Sequence, residues 1–155
     1  MFRKGNAVAD RFGLLILIAL VVIFGAAFQE SKTEYNNDIK DRTCLVNLVR
    51  IGNYVTNYRE QHQGKVPKDL AALFAGFHSD NPLLKCPYSR TVPGYDCNFT
   101  ATRTNEDIVC WDKNVHRHAR TIFSGRPDDT RAVLYANGHA KTLKETEFRK
   151  LRLPY

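Results

Sequence analysis

The feature that most constrains this chain is an uncharged apolar segment near its start, FGLLILIALVVIFGAAFQ, which runs from Phe12 to Gln29. Its 18 residues would form about 27 Å of α-helix, close to the ~30 Å thickness of a bilayer's hydrocarbon core. Basic residues precede the segment at Arg3, Lys4 and Arg11, and several acidic residues follow it. Because loops rich in Lys and Arg stay in the cytoplasm, the sequence predicts a single-pass protein with a cytoplasmic N-terminus.

A cleaved secretory signal is the alternative interpretation of the same segment. The apolar part of such a signal usually has ~7–15 residues and precedes a cleavage site of the form Ala-x-Ala. Gly25-Ala26-Ala27 resembles such a site only loosely, and the apolar run extends beyond it. A membrane anchor is therefore preferred, and secretion after cleavage near Ala27 stays open.

The charge of the chain does not indicate nucleic-acid binding. The formal net charge is +7, but Lys and Arg alternate with Asp and Glu, and no five like charges are consecutive. The one locally basic stretch, Arg149 to Arg152, is typical of the last turn of a helix, where cations face the negative end of the helix dipole. We therefore expect a membrane protein that does not bind nucleic acid.

The segment after the apolar run predicts that the helix continues. No proline occurs before Pro67, and apolar residues recur at helical spacing along one face. These residues are Cys44, Leu48, Ile51, Val55, Tyr58 and His62. Gly64 and Pro67 are typical of the end of a helix. We predict a cytoplasmic basic leader at 1–11, a transmembrane helix at 12–29, an amphipathic continuation at 30–63, and an extracytoplasmic globular domain at 64–155.

The globular domain shows signals for a small antiparallel sheet. After a short helix over Lys68 to Ala75, strand patterns occur at Tyr95 to Phe99, Ile108 to Trp111 and Ala132 to Ala136. Asn137-Gly138 favours a type I′ hairpin turn, with a returning strand from His139 to Leu143 and a terminal helix from Lys144 to Leu151. The predicted fold class is α+β, with the long N-terminal helix packed on this sheet.

Four cysteines suggest two disulfides in an exported domain. If the strands that contain Cys97 and Cys110 pair antiparallel, those two residues face each other and Phe99 faces Ile108, which leaves Cys44 for Cys86. This is one of three connectivities that four cysteines allow.

Three sequence features together resemble the type IV pilin-like and pseudopilin proteins of bacteria. The first is CLVNLVRIGNYVTNYREQHQGKVP, from Cys44 to Pro67, which is similar to the family's helix end. The second is Cys86-Pro87, and the third is WDKNVH followed by RAVLYANGHAKTLKETEF, which is similar to the family's terminal hairpin. Together they cover most of the chain.

The resemblance implies a pilin-like fold and a role in protein transport. The chain would be a minor pseudopilin of a type II secretion or type IV pilus-like assembly. It would be anchored in the bacterial inner membrane, with its C-terminal domain periplasmic or extracellular. Its partners would be other pilin-like subunits and assembly proteins, in homo- or hetero-oligomers formed through the N-terminal helix.

The candidate processing site is Gly13-Leu14, after a basic leader. The family's glutamate at the fifth position after the glycine is Ile18 here. In the family this glutamate pairs with the N-terminal amine of a neighbouring subunit, so its replacement favours a minor or uncleaved component over a filament-forming subunit. The alternatives are an anchored binding or scaffold domain that does not polymerise, a secreted metal-binding protein, and an anchored enzyme with a site that the sequence does not reveal.

Candidate metal ligands are His116, His118 and His139, with Asp112 or Asp128 as a further ligand. Two histidines separated by one residue on a strand lie on one face, which suits zinc or copper, although surface or turn histidines are the simpler interpretation. An oxygen-rich set could instead hold calcium. That set consists of Asn105, Glu106, Asp107, Asp128 and Asp129. No catalytic motif is present, so we expect a protein that is not an enzyme and needs no cofactor, with zinc or calcium as the candidate ions.

Overall fold

The computed structural model describes residues 7–75, 81–100, 104–117, 128–151 and 153, with side chains from residue 13 onward. The chain forms two compact units, Met1–Asn36 and Asn37–Tyr155. The predicted α+β fold, a long N-terminal helix packed on a small antiparallel sheet, is confirmed.

In the first unit the described residues belong to a single helix, α1, which runs from Ala7 to Gln61 and so contributes to both units. Its apolar side chains are exposed in this unit, with Leu17 at 60% and Phe24 at 72% of their full accessible surface. By length and composition, this helix could cross a membrane. The orientation and the compartment stay predictions.

In the second unit, α1 presents the predicted apolar face to the core. Cys44, Leu48 and Ile51 are fully buried, and Val55 is partly buried against the same core. His62, at the end of the predicted face, is exposed and its ring nitrogen lies 2.9 Å from the carbonyl oxygen of Tyr58. The helix ends two residues earlier than predicted.

The sheet has four antiparallel strands in the order β1-β2-β3-β4. The strands are β1 Tyr95–Cys97, β2 Ile108–Asp112, β3 Thr130–Tyr135 and β4 Ala140–Lys144. The short helices are α2 Leu70–Leu73, a 3₁₀ helix Pro82–Leu84, and α3 Glu145–Lys150. The turn at Asn137-Gly138 joins β3 to β4, but the predicted type I′ turn is wrong, because of the two residues only Gly138 has a positive φ, of 83°. The N–H of Gly138 donates to the carbonyl oxygen of Tyr135 at 2.9 Å, as in a three-residue hairpin loop in which a turn is followed by a glycine in the left-handed region.

The register of the first two strands is as predicted, because Cys97 lies opposite Cys110 and the two form a disulfide. Phe99 was predicted to face Ile108, but β1 ends at Cys97, and the last contact in this register is the hydrogen bond that the N–H of Asn98 donates to the carbonyl oxygen of Val109 at 2.8 Å. The irregular pairing of β2 is with β3, where the register shifts between Ile108 and Cys110, as at a β-bulge.

Residues of β3 alternate between two apolar clusters, as the period of a strand requires. Ala132 and Leu134 lie in the cluster that contains Leu48 and Ile51 of α1. Val133 lies in a second cluster, with Trp111 and Phe148. The sheet is therefore covered on both faces, by α1 on one and by α3 on the other.

Gly52 explains how α1 comes so close to the sheet. A Cβ atom at this position would lie 3.3 Å from Cδ1 of Leu134, tighter than most real contacts. A glycine inside a helix costs about 1 kcal/mol relative to alanine. Here the cost is offset by the close packing of the helix on β3.

Candidate functional site

Four buried residues of the second unit converge on one point beside α1. They are Cys44, Cys86, Asp112 and His116, and one potential ligand atom from each lies within 4.8 Å of the others. We call these four residues the Cys₂AspHis cluster. In the part of the chain that the structure describes, no other group of three or more His, Cys, Asp or Glu residues meets in this way.

Four separate segments position these side chains. Cys44 belongs to the buried face of α1, and Cys86 follows the 3₁₀ helix by two residues. Asp112 is the last residue of β2. His116 forms a β-bridge with Thr130, through backbone bonds of 2.7 and 3.1 Å. The cluster therefore joins the long helix to the loop before β1 and to the end of the sheet.

Gly94 holds the loop that contains Cys86 in place. Its N–H donates a 2.7 Å hydrogen bond to the carbonyl of Leu84. A Cβ atom at Gly94 would lie 2.7 Å from both Cβ and the backbone nitrogen of Cys86, a distance that real Cβ atoms essentially never show. Only glycine allows the two backbone segments to approach this closely.

The two cysteines of the cluster are thiols in this structure. Their Sγ atoms are 3.2 Å apart, whereas a disulfide bond is about 2.05 Å long. The predicted partners Cys44 and Cys86 are thus brought together without a covalent bond between them. The bond between Cys97 and Cys110 is formed.

The His116 ring is held on both of its nitrogens. Nδ1 lies 2.9 Å from Oδ1 of Asp41, and Nε2 lies 2.6 Å from Oδ2 of Asp112. Nε2 also lies 3.9 Å from Sγ of Cys86. The Tyr88 ring stacks on the imidazole, with the ring centroids 4.0 Å apart. These contacts fix the orientation of the ring.

Asp112 has an unusual environment for a carboxylate. Its side chain is fully buried, and Oδ2 accepts a hydrogen bond from the backbone N–H of Ala132 at 3.2 Å. The second oxygen, Oδ1, has no hydrogen-bond partner among the described residues. A buried polar atom without a partner destabilises a fold by about 1–3 kcal/mol. Burying Oδ1 of Asp112 is therefore unfavourable for the folded state.

The pKa values of the cluster residues are shifted from their ordinary values by burial and by the hydrogen bonds among them. Burial raises the pKa of Asp112, although the hydrogen bond with His116 opposes the rise. Burial lowers the pKa of His116, but the hydrogen bonds with Asp112 and Asp41 outweigh it and raise the pKa overall. The hydrogen bond with Cys44 lowers the pKa of Cys86, against the effect of burial.

Sequence reasoning found half of the Cys₂AspHis cluster. The candidate ligands Asp112 and His116 belong to it, whereas His139 is exposed in the hairpin and lies outside it. The candidate His118 lies outside the described residues. Cys44 and Cys86 were assigned to a crosslink instead. The sequence signal that could have identified them is the position of Cys44 on the apolar face of the helix, because that face was predicted to pack on the sheet.

The acidic residues considered for calcium have other contacts. Oδ2 of Asp107 accepts a 2.7 Å hydrogen bond from the N–H of Thr104, and Asp128 forms a 2.7 Å ion pair with Lys144. Calcium binding stays a prediction. The candidate processing residues Gly13 and Leu14 lie within α1, where Leu14 is exposed, and processing there also stays a prediction.

Comparison of the chain with known protein families, with curated proteins and with solved structures finds no match in any of the three.

Proposed function

We propose that this protein is a membrane-anchored, pilin-like subunit, a minor component of a type II secretion or type IV pilus-like assembly. The observation that carries the proposal is that the two parts of α1 differ in exposure. The helix exposes apolar side chains in the first unit, and in the second it packs the buried residues Cys44, Leu48 and Ile51 on an antiparallel sheet.

The exposed apolar surface requires an apolar environment. Nearly every large side chain from Leu14 to Phe28 is about half exposed or more, far beyond the scattered apolar residues of an ordinary protein surface. A bilayer provides such an environment, and so does a bundle of similar helices. A subunit can move from the bilayer into such a helix bundle without exposing this surface to water. This is the physical basis for assembly from subunits that are held in the membrane.

Small residues in the apolar part of α1 suit close helix packing. A Cβ atom added at Gly13 or Gly25 would meet nothing within 4 Å, so both positions leave room for another helix. Small residues at helix interfaces let two backbones approach within the membrane. This supports lateral association through the N-terminal helix.

An anchored scaffold domain that does not polymerise is the second candidate. One observation favours it, namely that Ile18 stands where the resembling family has a glutamate. Both candidates have the membrane anchor and the folded second unit. They differ in whether the apolar helices of neighbouring subunits contact each other.

The anchor is tested by fractionation and intact-mass analysis of the protein from its own cells. We expect the chain to stay in membranes after a carbonate wash, with a mass that still includes residues 14–29. A mass that lacks residues 1–13 and carries a methyl group on Leu14 would indicate that the chain is processed as a prepilin. A soluble product that begins near Phe28 would contradict the anchor, because the apolar segment would then be a cleaved signal.

A further inference from the structure

We propose that Cys44, Cys86, Asp112 and His116 form a tetrahedral binding site for Zn²⁺ that ties α1 to the sheet. The site lies within the second unit and does not depend on the proposed role in assembly. Cysteine, histidine and aspartate are the ligand types that zinc uses in proteins, and four protein ligands are typical of a structural zinc site.

The spacing of the ligand atoms is close to what zinc needs. In a tetrahedral site with Zn–S bonds of about 2.3 Å, two sulfurs lie about 3.8 Å apart, and a nitrogen and an oxygen lie about 3.3 Å apart. The Sγ atoms of Cys44 and Cys86 are 3.2 Å apart, and Nε2 of His116 is 2.6 Å from Oδ2 of Asp112. Side-chain shifts of about half an ångström would bring the ligands to these distances.

Asp41 orients His116 as carboxylates do in metal sites. A histidine that binds a metal through one nitrogen usually donates the N–H of the other to a carboxylate. Nδ1 of His116 lies 2.9 Å from Oδ1 of Asp41, which leaves Nε2 directed at Asp112 and Cys86. Asp41 is therefore a positioning residue rather than a ligand.

The unpartnered oxygen of Asp112 points to a ligand independently of the spacing. Oδ1 is buried and has no hydrogen-bond partner among the described residues, although Oδ2 of the same carboxylate contacts His116. A cation bound to this carboxylate would replace the missing hydrogen bond.

The competing arrangement is a disulfide between Cys44 and Cys86, since their sulfurs are adjacent and the predicted compartment is oxidising. The two arrangements exclude each other, because both thiolates are needed to bind the metal. The experiment must therefore establish both the oxidation state of this pair and the metal content.

The test uses the full chain in detergent, purified without added metal or chelator, with thiols counted by alkylation and mass analysis. We expect two free thiols and one bound zinc ion per chain. After zinc removal, we expect Co²⁺ to give the strong visible bands of a tetrahedral site together with thiolate-to-cobalt charge-transfer absorption.

Variants identify the ligands and keep the test independent of folding defects. Cys86→Ser should abolish the charge-transfer band of one thiolate, and Asp41→Asn should weaken zinc binding by about 10–100-fold while leaving the bands in place. His139→Ala is the matched control, because this histidine is exposed and outside the cluster, and it should bind zinc as the original chain does. Near-ultraviolet circular dichroism of Trp111 reports whether each variant is folded.

Two results would overturn the proposal. One is a Cys44–Cys86 disulfide in the isolated protein, with no tetrahedral metal spectrum after its selective reduction. The other is zinc binding that Asp41→Asn and Cys86→Ser leave as strong as in the His139→Ala control.

Discussion

Replacing Leu48 by alanine is expected to lower the free energy of unfolding of the second unit by about 2–5 kcal/mol. Leu48 is fully buried between α1 and the sheet, in the cluster that also contains Ile51 and Leu134. The substitution removes three buried carbons and leaves a cavity. The measurement is a urea titration of the detergent-solubilised chain, followed by the circular dichroism of its only tryptophan, Trp111.

Val46→Ala is the matched control, because Val46 is on the same helix and 48% exposed. Its cost should stay within about 0.5 kcal/mol, as for most surface substitutions. Equal effects of Leu48→Ala and Val46→Ala would contradict the packing of this helix face on the sheet.

Replacing Arg131 by alanine is expected to cost about 3–5 kcal/mol, the range for breaking a buried ion pair. Nε and Nη2 of Arg131 donate to the two oxygens of Glu145 at 3.0 and 3.2 Å, and both side chains are at most 10% exposed. Nη1 also donates to the carbonyl oxygens of Asp112 and Lys113, at 2.7 and 3.0 Å. The variant leaves a buried carboxylate and two carbonyls without these donors.

Arg149→Ala is the control, because Arg149 also donates to Glu145, at 2.9 Å, but is 71% exposed. An exposed ion pair contributes at most about 1 kcal/mol. The same urea titration applied to both variants should give a much larger loss for Arg131→Ala. Equal losses would show that the buried pair adds nothing beyond a surface contact.

The difference in the free energy of unfolding between the original chain and Arg131→Ala should also depend on pH. Burial raises the pKa of Glu145, but the hydrogen bonds from Arg131 and Arg149 outweigh it and lower the pKa overall. A lowered pKa in the folded state stabilises the fold above the unfolded pKa of about 4.3, and this contribution is lost as the pH falls through the folded value. The loss in free energy of unfolding caused by Arg131→Ala should therefore be smaller at acidic pH than at neutral pH.

The parts of the fold that local signals specify were predictable from the sequence. The absence of proline before Pro67 and the spacing of Cys44, Leu48 and Ile51 are enough to predict one long helix with a buried face. Asn137-Gly138 is enough to predict a hairpin turn, and Gly138 takes the positive φ that glycine adopts without strain, but the type of turn was predicted incorrectly because Asn137 does not share that conformation. The position of Cys97 opposite Cys110 then follows from the length of the connecting loop.

The parts that depend on distant contacts were not predictable. The end of β1 at Cys97 and the register shift of β2 against β3 between Ile108 and Cys110 carry no clear local signal. The buried pair Arg131–Glu145 depends on how α3 folds back on β3. The Cys₂AspHis cluster requires four segments to meet, and cysteine count alone cannot distinguish a ligand pair from a crosslink.

The most direct test of the central claim is photo-crosslinking in cells from a benzoylphenylalanine placed at Phe24, which is 72% exposed. We expect adducts at native expression levels with a second copy of this chain or with another protein that has an apolar N-terminal helix. The same probe at Val92, in the loop before β1, should not give these adducts. A chain that stays in the membrane but yields no protein adduct from Phe24 would contradict assembly through the N-terminal helix.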